Sequence, residues 1–221
     1  MSIFNKIKFE LLVLIFLTLS IFISYNLDLW FYSYFINLSE NNTGTFLKEF
    51  FKEITRVGKS SWYLTISVIG FILLYVNTKF KLVETKTDDK FTKFFVSSFF
   101  YILAVGIISQ IAKHIIGRPR PNYTNFENVY DFKFFSVESS FHSYPSGHSS
   151  TIFIVCFIMV ATFPKLKYFF YFLASIVALS RVVVGAHFFT DIVAGAILAL
   201  LFFKILNNLI EKKYSNYKFS N

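Results

Sequence analysis

Six apolar stretches, near residues 9–25, 62–77, 94–112, 148–163, 168–186 and 188–206, constrain this 221-residue chain more than any other feature. A helix needs about 20 apolar residues to cross the hydrocarbon core of a bilayer, and within it each backbone polar group must find its partner inside the segment. The stretches therefore predict an all-α fold, a polytopic helix bundle with six transmembrane helices, built as a single integral membrane domain over residues 1–221. The second and fourth are short, which places polar residues at their ends in the interface. A hydrophobic share of 55% and a mean hydropathy of +0.54 exclude an ordinary soluble domain. The first stretch follows Lys6 and Lys8 but has no small-x-small cleavage site before Tyr25 and Asn26, so it reads as an uncleaved span rather than a signal peptide.

The net charge of +9 is spread over the span ends and forms no basic patch, which argues against a nucleic-acid partner. It reports orientation instead, because Lys and Arg are retained on the cytoplasmic side. With the N-terminus inside, the cytoplasmic segments hold Lys6 and Lys8, the five lysines from Lys79 to Lys93, Lys165 and Lys167, and the four from Lys204 to Lys218. Those are 13 of the 22 basic residues, and both termini are expected to be cytoplasmic. In the first outer loop, Phe46, Leu47, Phe50, Phe51, Ile54 and Val57 alternate at helical spacing with Lys48, Glu49, Lys52, Glu53 and Arg56. Residues 45–59 are therefore expected to form an amphipathic helix lying on the membrane. The single cysteine, Cys156, has no partner for an intramolecular disulfide and reads as core packing.

Ionisable residues are costly within spans, so those found there are functional candidates. Lys113 ends the third span and leads into His114-Ile115-Ile116-Gly117-Arg118-Pro119-Arg120-Pro121. Tyr144-Pro145-Ser146-Gly147-His148 opens the fourth, Ser180-Arg181 ends the fifth, and His187 and Asp191 open the sixth. The third and fifth spans run outward and the fourth and sixth run inward, so helix count alone delivers all three places to the outer face.

These residues resemble the three-part pattern of the type 2 phosphatidic acid phosphatase (PAP2) superfamily. Lys113 with Arg120-Pro121 matches the first part, Pro145-Ser146-Gly147-His148 the second, and Ser180-Arg181, His187 and Asp191 the third, each at the family's spacing. The catalytic motif region is thus 113–191, about a third of the chain. The resemblance implies hydrolysis of a lipid phosphate through a phosphohistidine on His187.

The residue types fit that chemistry. His187 and Asp191 are four apart on a helix, so the carboxylate can engage one ring nitrogen and leave the other free to attack. His148 is placed to protonate the leaving oxygen and then activate water. Lys113, Arg120 and Arg181 are substrate-binding candidates that surround the phosphoryl oxygens with positive charge. Ser146 and Gly147 stand at a helix start, whose free amides bind anions. Taken singly, each residue has a plainer reading: a lone His near a span end packs at the interface, and an isolated Arg snorkels to the headgroups. The shared face and spacing argue against that for the set, whereas His114, His142 and Arg118 match no fixed position and keep the plainer reading.

Neither histidine of the pattern has the close His or Cys neighbour of a zinc site, so no metal and no cofactor are expected. The loop between Asn122 and Tyr144 carries seven aromatic residues and is expected to dip toward the lipid and line the entry to the site. The expected partners are a phosphorylated membrane lipid and the bilayer itself, with no obligate protein partner inferred. Undecaprenyl diphosphate, phosphatidylglycerol phosphate, phosphatidic acid and lipid A phosphate are the candidate substrates, at the outer face of a bacterial inner membrane. Two other readings use the same fold: a vanadate-dependent haloperoxidase, disfavoured by the six spans, and a non-catalytic lipid transporter or scaffold, disfavoured by the intact nucleophile, acid and cations.

Overall fold

The computed structural model describes residues 25–39, 42–80, 88–124 and 129–213 of the chain. Among them all regular structure is helical: α1 (Tyr25–Ser39), α2 (Asn42–Arg56), α3 (Ser60–Phe80), α4 (Asp88–Ile116), α5 (Gly147–Thr162), α6 (Lys167–Val183) and α7 (Phe189–Lys213), with single 3-10 turns at Pro121–Tyr123, Ser139–Phe141 and Pro164–Leu166. Among the described residues, four stretches are long and apolar enough to cross a membrane: Gly44–Phe80, Phe94–Tyr123, Pro164–Val183 and Phe189–Leu209. The chain is thus built as an integral membrane protein. The fourth expected span is the 16-residue helix α5. Its rise of about 24 Å falls short of the ~30 Å hydrocarbon core. The span expected at 9–25 lies outside the described residues except for Tyr25, which opens α1.

The core is made where α4, α5 and α7 meet. Tyr101, Ile102 and Val105 from α4, Ile154 and Ile158 from α5, and Leu198 and Ala199 from α7 form one buried cluster. The α5–α7 approach is set by Gly195, where an added Cβ would fall 2.6 Å from the Ser146 carbonyl oxygen and 2.9 Å from Ser149 Cβ. Small residues at such a crossing let backbones approach closely. Ser149 Oγ uses the proximity to donate to the Ile192 carbonyl at 2.5 Å. The two helix starts that carry His148 and Asp191 are locked together by these contacts.

Two features depart from the sequence reading. Residues 25–39, to which the sequence reading gave no element beyond Tyr25, form a helix, and α1 packs on α2, α6 and α7, with the Phe31 and Phe189 rings stacked at 4.6 Å. Its Asp28 carboxylate is buried. The aromatic loop is divided in its role. Val129 is buried, and Tyr130 and Phe132 pack on Tyr144, Ala194 and Leu201, while Phe134, Phe135 and Val137 stay exposed. Tyr130 and Phe132 thus anchor the loop to the bundle through Tyr144 and α7.

Candidate active site

Helix ends deliver the site. Lys113 lies in the last turn of α4, and the chain then turns through Gly117 to Arg120. His148 stands in the first turn of α5, whose N-cap Ser146 accepts a hydrogen bond from the Ser149 amide at 3.4 Å. Arg181 lies in the last turn of α6, and its carbonyl accepts from the amides of Ala186 and His187 at 3.0 and 3.1 Å. That folded-back loop sets His187 just before α7.

Lys113, Arg120, Gly147, His148, Arg181 and His187 line one cavity of about 380 Å³. Six of the eight expected site residues are therefore gathered on a single surface. Ser146 and Asp191 stand behind it, joined by a 2.9 Å bond from the Ser146 amide to the Asp191 carbonyl. The rest of the wall comes from Gly58 to Ser61, where α2 gives way to α3, and from Gly106, Ser109, Gln110 and Thr151, with Lys59 adding a fourth Lys or Arg side chain. None of the described loop aromatics lines this cavity, where the sequence reading expected them at its entry; the segment Gly58 to Ser61 lines it instead.

The basic groups are held but not neutralised. Lys113 Nζ donates to the His142 carbonyl at 3.2 Å, and Arg181 Nη1 donates to Thr55 Oγ1 on α2 at 2.9 Å. Arg120 Nε and Arg181 Nε are buried without an acceptor. Buried donors without partners cost free energy, and here they share one cavity with other cations, the arrangement that an oxyanion with several acceptor oxygens satisfies.

Behind the nucleophile candidate lies a network that sequence spacing did not disclose. Asp191 Oδ2 is 3.6 Å from His187 Nδ1, and the same oxygen accepts from Ser143 Oγ at 2.5 Å and from the Phe188 amide at 2.8 Å. Asp191 Oδ1 accepts from Arg118 Nη1 at 2.7 Å. Arg118 also donates to Thr190 Oγ1 at 2.8 Å and through Nη2 to Asp28 Oδ2 at 2.7 Å, and its guanidinium lies 4.3 Å above the Phe188 ring. Arg118, Asp28 and Asp191 are each 0% exposed. Arg118 is thus a buried ion-pair partner and not an interfacial residue. The one hint in the sequence was a second arginine beside Arg120 in a segment already committed to the site.

His187 is itself buried. That burial, together with Lys113 and Arg181, holds its imidazole far below the usual range, down to about 3, against the pull of Asp191. The ring is therefore neutral at ordinary pH. With Asp191 on the Nδ1 side, Nε2 is the ring nitrogen that does not face the carboxylate.

A family model described as PAP2 superfamily matches residues 94–215. The chain belongs to the PAP2 superfamily. A lipid A 1-phosphatase of Rhizobium johnstonii is 32% identical over 149 residues, 64% of this chain and 59% of that protein, so the match spans less than two thirds of the relative. Phosphatidylglycerophosphatase B of Bacillus subtilis is 31% identical over 181 residues, 75% of this chain and 76% of its own. Among solved structures, a transmembrane PAP2-type phosphatidylglycerolphosphate phosphatase from Bacillus subtilis superposes with a TM-score of 0.53 at 24% identity, covering 86% of this chain and 98% of that one. That likeness establishes the shared fold. In this PAP2 chain the matched region contains every residue of the cavity wall except those of the α2–α3 turn.

Proposed function

We propose that this protein is a metal-independent lipid phosphatase that removes phosphate from a membrane lipid phosphate or diphosphate at the outer membrane face. The observation that carries this reading is the adjacency of two cavities of opposite character. Beside the basic cavity lies an apolar one of about 590 Å³ between α3, α4, α5 and α6, with Ile54 and Val57 at its edge. Gly58 separates the two: a Cβ there would lie 3.0 Å from His148 Cδ2 and 3.1 Å from Val177, which lines the apolar side. A ligand with a phosphate head and a hydrocarbon tail fits both at once. The relatives named above carry the names of lipid phosphatases, which agrees with that class.

In this reading His187 Nε2 attacks phosphorus, the bond to the lipid oxygen breaks, and His148 donates a proton to that oxygen. The anion carried in by the substrate supplies the charge against which His148 holds its proton. A water then gives its proton to His148 and attacks the phosphohistidine, the N–P bond breaks, and inorganic phosphate leaves. Lys113, Arg120 and Arg181, aided by Lys59, stabilise the phosphoryl oxygens throughout, the role a metal ion plays elsewhere. Helix α2 supports the membrane placement, with Phe46 and Phe50 exposed on one face and the pairs Lys52–Glu49 and Arg56–Glu53 on the other.

The experiment is phosphate release from purified protein given phosphatidic acid, phosphatidylglycerol phosphate, undecaprenyl diphosphate and lipid A in mixed micelles. Turnover of at least one, absent in His187→Ala, is the expected result. Equal phosphate release by the two proteins on every lipid would overturn the reading.

A further inference from the structure

A buried carboxylate on α1, outside the PAP2-matched region, is tied to the nucleophile's own turn. Asp28 Oδ1 accepts the Thr190 backbone amide at 2.9 Å, one of the amides in the first turn of α7 that lack a partner within the helix. Its Oδ2 accepts from Thr190 Oγ1 at 2.5 Å and from Arg118 Nη2 at 2.7 Å. Arg118 passes the constraint on, since its other terminal nitrogen holds both Thr190 and Asp191. The Phe188 ring lies under the same guanidinium. Phe188, Thr190 and Asp191 are therefore each gripped by the Asp28–Arg118 pair, and His187 is the residue immediately before them.

We propose that Asp28 is a positioning residue for the reaction, fixing through Arg118 and Thr190 the turn that aims Asp191 at His187. The inference rests on the phosphatase reading and extends it to a helix that the family match leaves out. A second contribution is electrostatic. Arg118 alone would cancel the charge of Asp191, whereas the Asp28–Arg118–Asp191 trio carries a net negative charge beside the imidazole. That charge favours the positive character His187 acquires as it takes up the phosphoryl group. Asp28 does not line the basic cavity, so the groups that bind the phosphate are untouched by changing it.

The test compares wild type, Asp28→Asn and the double variant Asp28→Asn/Arg118→Gln in detergent, with kcat and KM measured separately on the lipid phosphate that wild type turns over. Asp28→Asn is expected to lower kcat about tenfold or more while KM stays within about twofold, because positioning is lost and binding is kept. Removing one partner of a buried pair can unfold a protein. The double variant removes both charges and covers that case. If Asp28 served only to neutralise Arg118, the double variant would regain wild-type kcat, and that result overturns the proposal; a low kcat with KM preserved in the folded Asp28→Asn protein supports it. Wild-type kcat in a folded Asp28→Asn protein, or a loss confined to KM, also overturns it and leaves the phosphatase reading standing. A wild type that releases no more phosphate than His187→Ala from any lipid phosphate removes both.

Discussion

Asp191 faces His187 Nδ1 at 3.6 Å, yet its carboxylate is held more closely by Ser143, the Phe188 amide and Arg118, at 2.5 to 2.8 Å. Its position is thus fixed by the bundle before His187 engages it. We predict that Asp191→Asn folds but slows turnover by about 10²- to 10⁴-fold, the range for loss of a group that orients and charges a catalytic base or nucleophile. His187→Ala should abolish both turnover and the phosphoenzyme. Quenching the reaction with radiolabelled lipid phosphate checks both, and label retained on His187→Ala protein would assign the nucleophile elsewhere.

The buried imidazole of His187 links stability to pH. Its value is about 3 in the folded protein against 6.5 when unfolded, so between these limits the unfolded chain binds more protons. Its contribution to stability is complete above pH 6.5 and is lost progressively as pH falls toward 3. We expect the melting temperature in detergent to drop between pH 7.5 and 4.5 more steeply for wild type than for His187→Asn. Parallel curves for the two proteins would count against a neutral buried His187.

In the proposed reaction Lys113, Arg120 and Arg181 supply the positive charge that a metal ion supplies in other phosphatases. Activity is expected to survive excess EDTA, and vanadate is expected to inhibit by occupying the phosphoryl position as a five-coordinate oxyanion. Inactivation by chelator, reversed by zinc or magnesium, would show that a metal carries the charge that Lys113, Arg120 and Arg181 are assigned here.

Orientation is accessible through two exposed loops on opposite ends of the bundle. Val137 lies in the loop between α4 and α5, at the end that carries the site, and Lys165 lies between α5 and α6. In a Cys156→Ser background, Val137→Cys should react in intact cells or spheroplasts with an impermeant thiol reagent, and Lys165→Cys should react only after lysis. The opposite pattern would turn the site toward the cytoplasm.

What could be read from the sequence was what depends on local spacing. The apolar stretches located α3 to α7 because a span must be apolar along its whole length, and helix count brought Lys113, His148, Arg181 and His187 to one end. Spacing was blind to Asp28, whose partners lie 90 and 162 residues away and whose charge reads as exposed until Arg118 is seen beside it. Arg118 was misjudged for the same reason: its role is set by a carboxylate on a helix that the motifs do not include. The aromatic loop shows the limit from the other side, since composition marks Phe132 and Phe134 alike, while only packing against Tyr144 and Leu201 makes the first a core residue.

The apolar cavity beside His148 makes tail length the sharpest variable for the substrate. Each methylene buried there is worth about 0.8 kcal/mol, close to fourfold in kcat/KM when the binding is expressed in the transition state. Efficiency is therefore expected to rise with chain length over the first several methylenes and then level off as the cavity fills, when a homologous series of lipid phosphates is assayed below micelle-forming concentrations. Ala174 offers a control, because it is buried in the wall of this cavity and Ala174→Phe would occupy part of it. That variant should lose efficiency on long chains while keeping its rate on the shortest member of the series, which a general loss of folding could not do. A flat dependence on chain length, or equal efficiency toward glucose 6-phosphate, would separate the phosphatase chemistry of His187 from any requirement for a lipid.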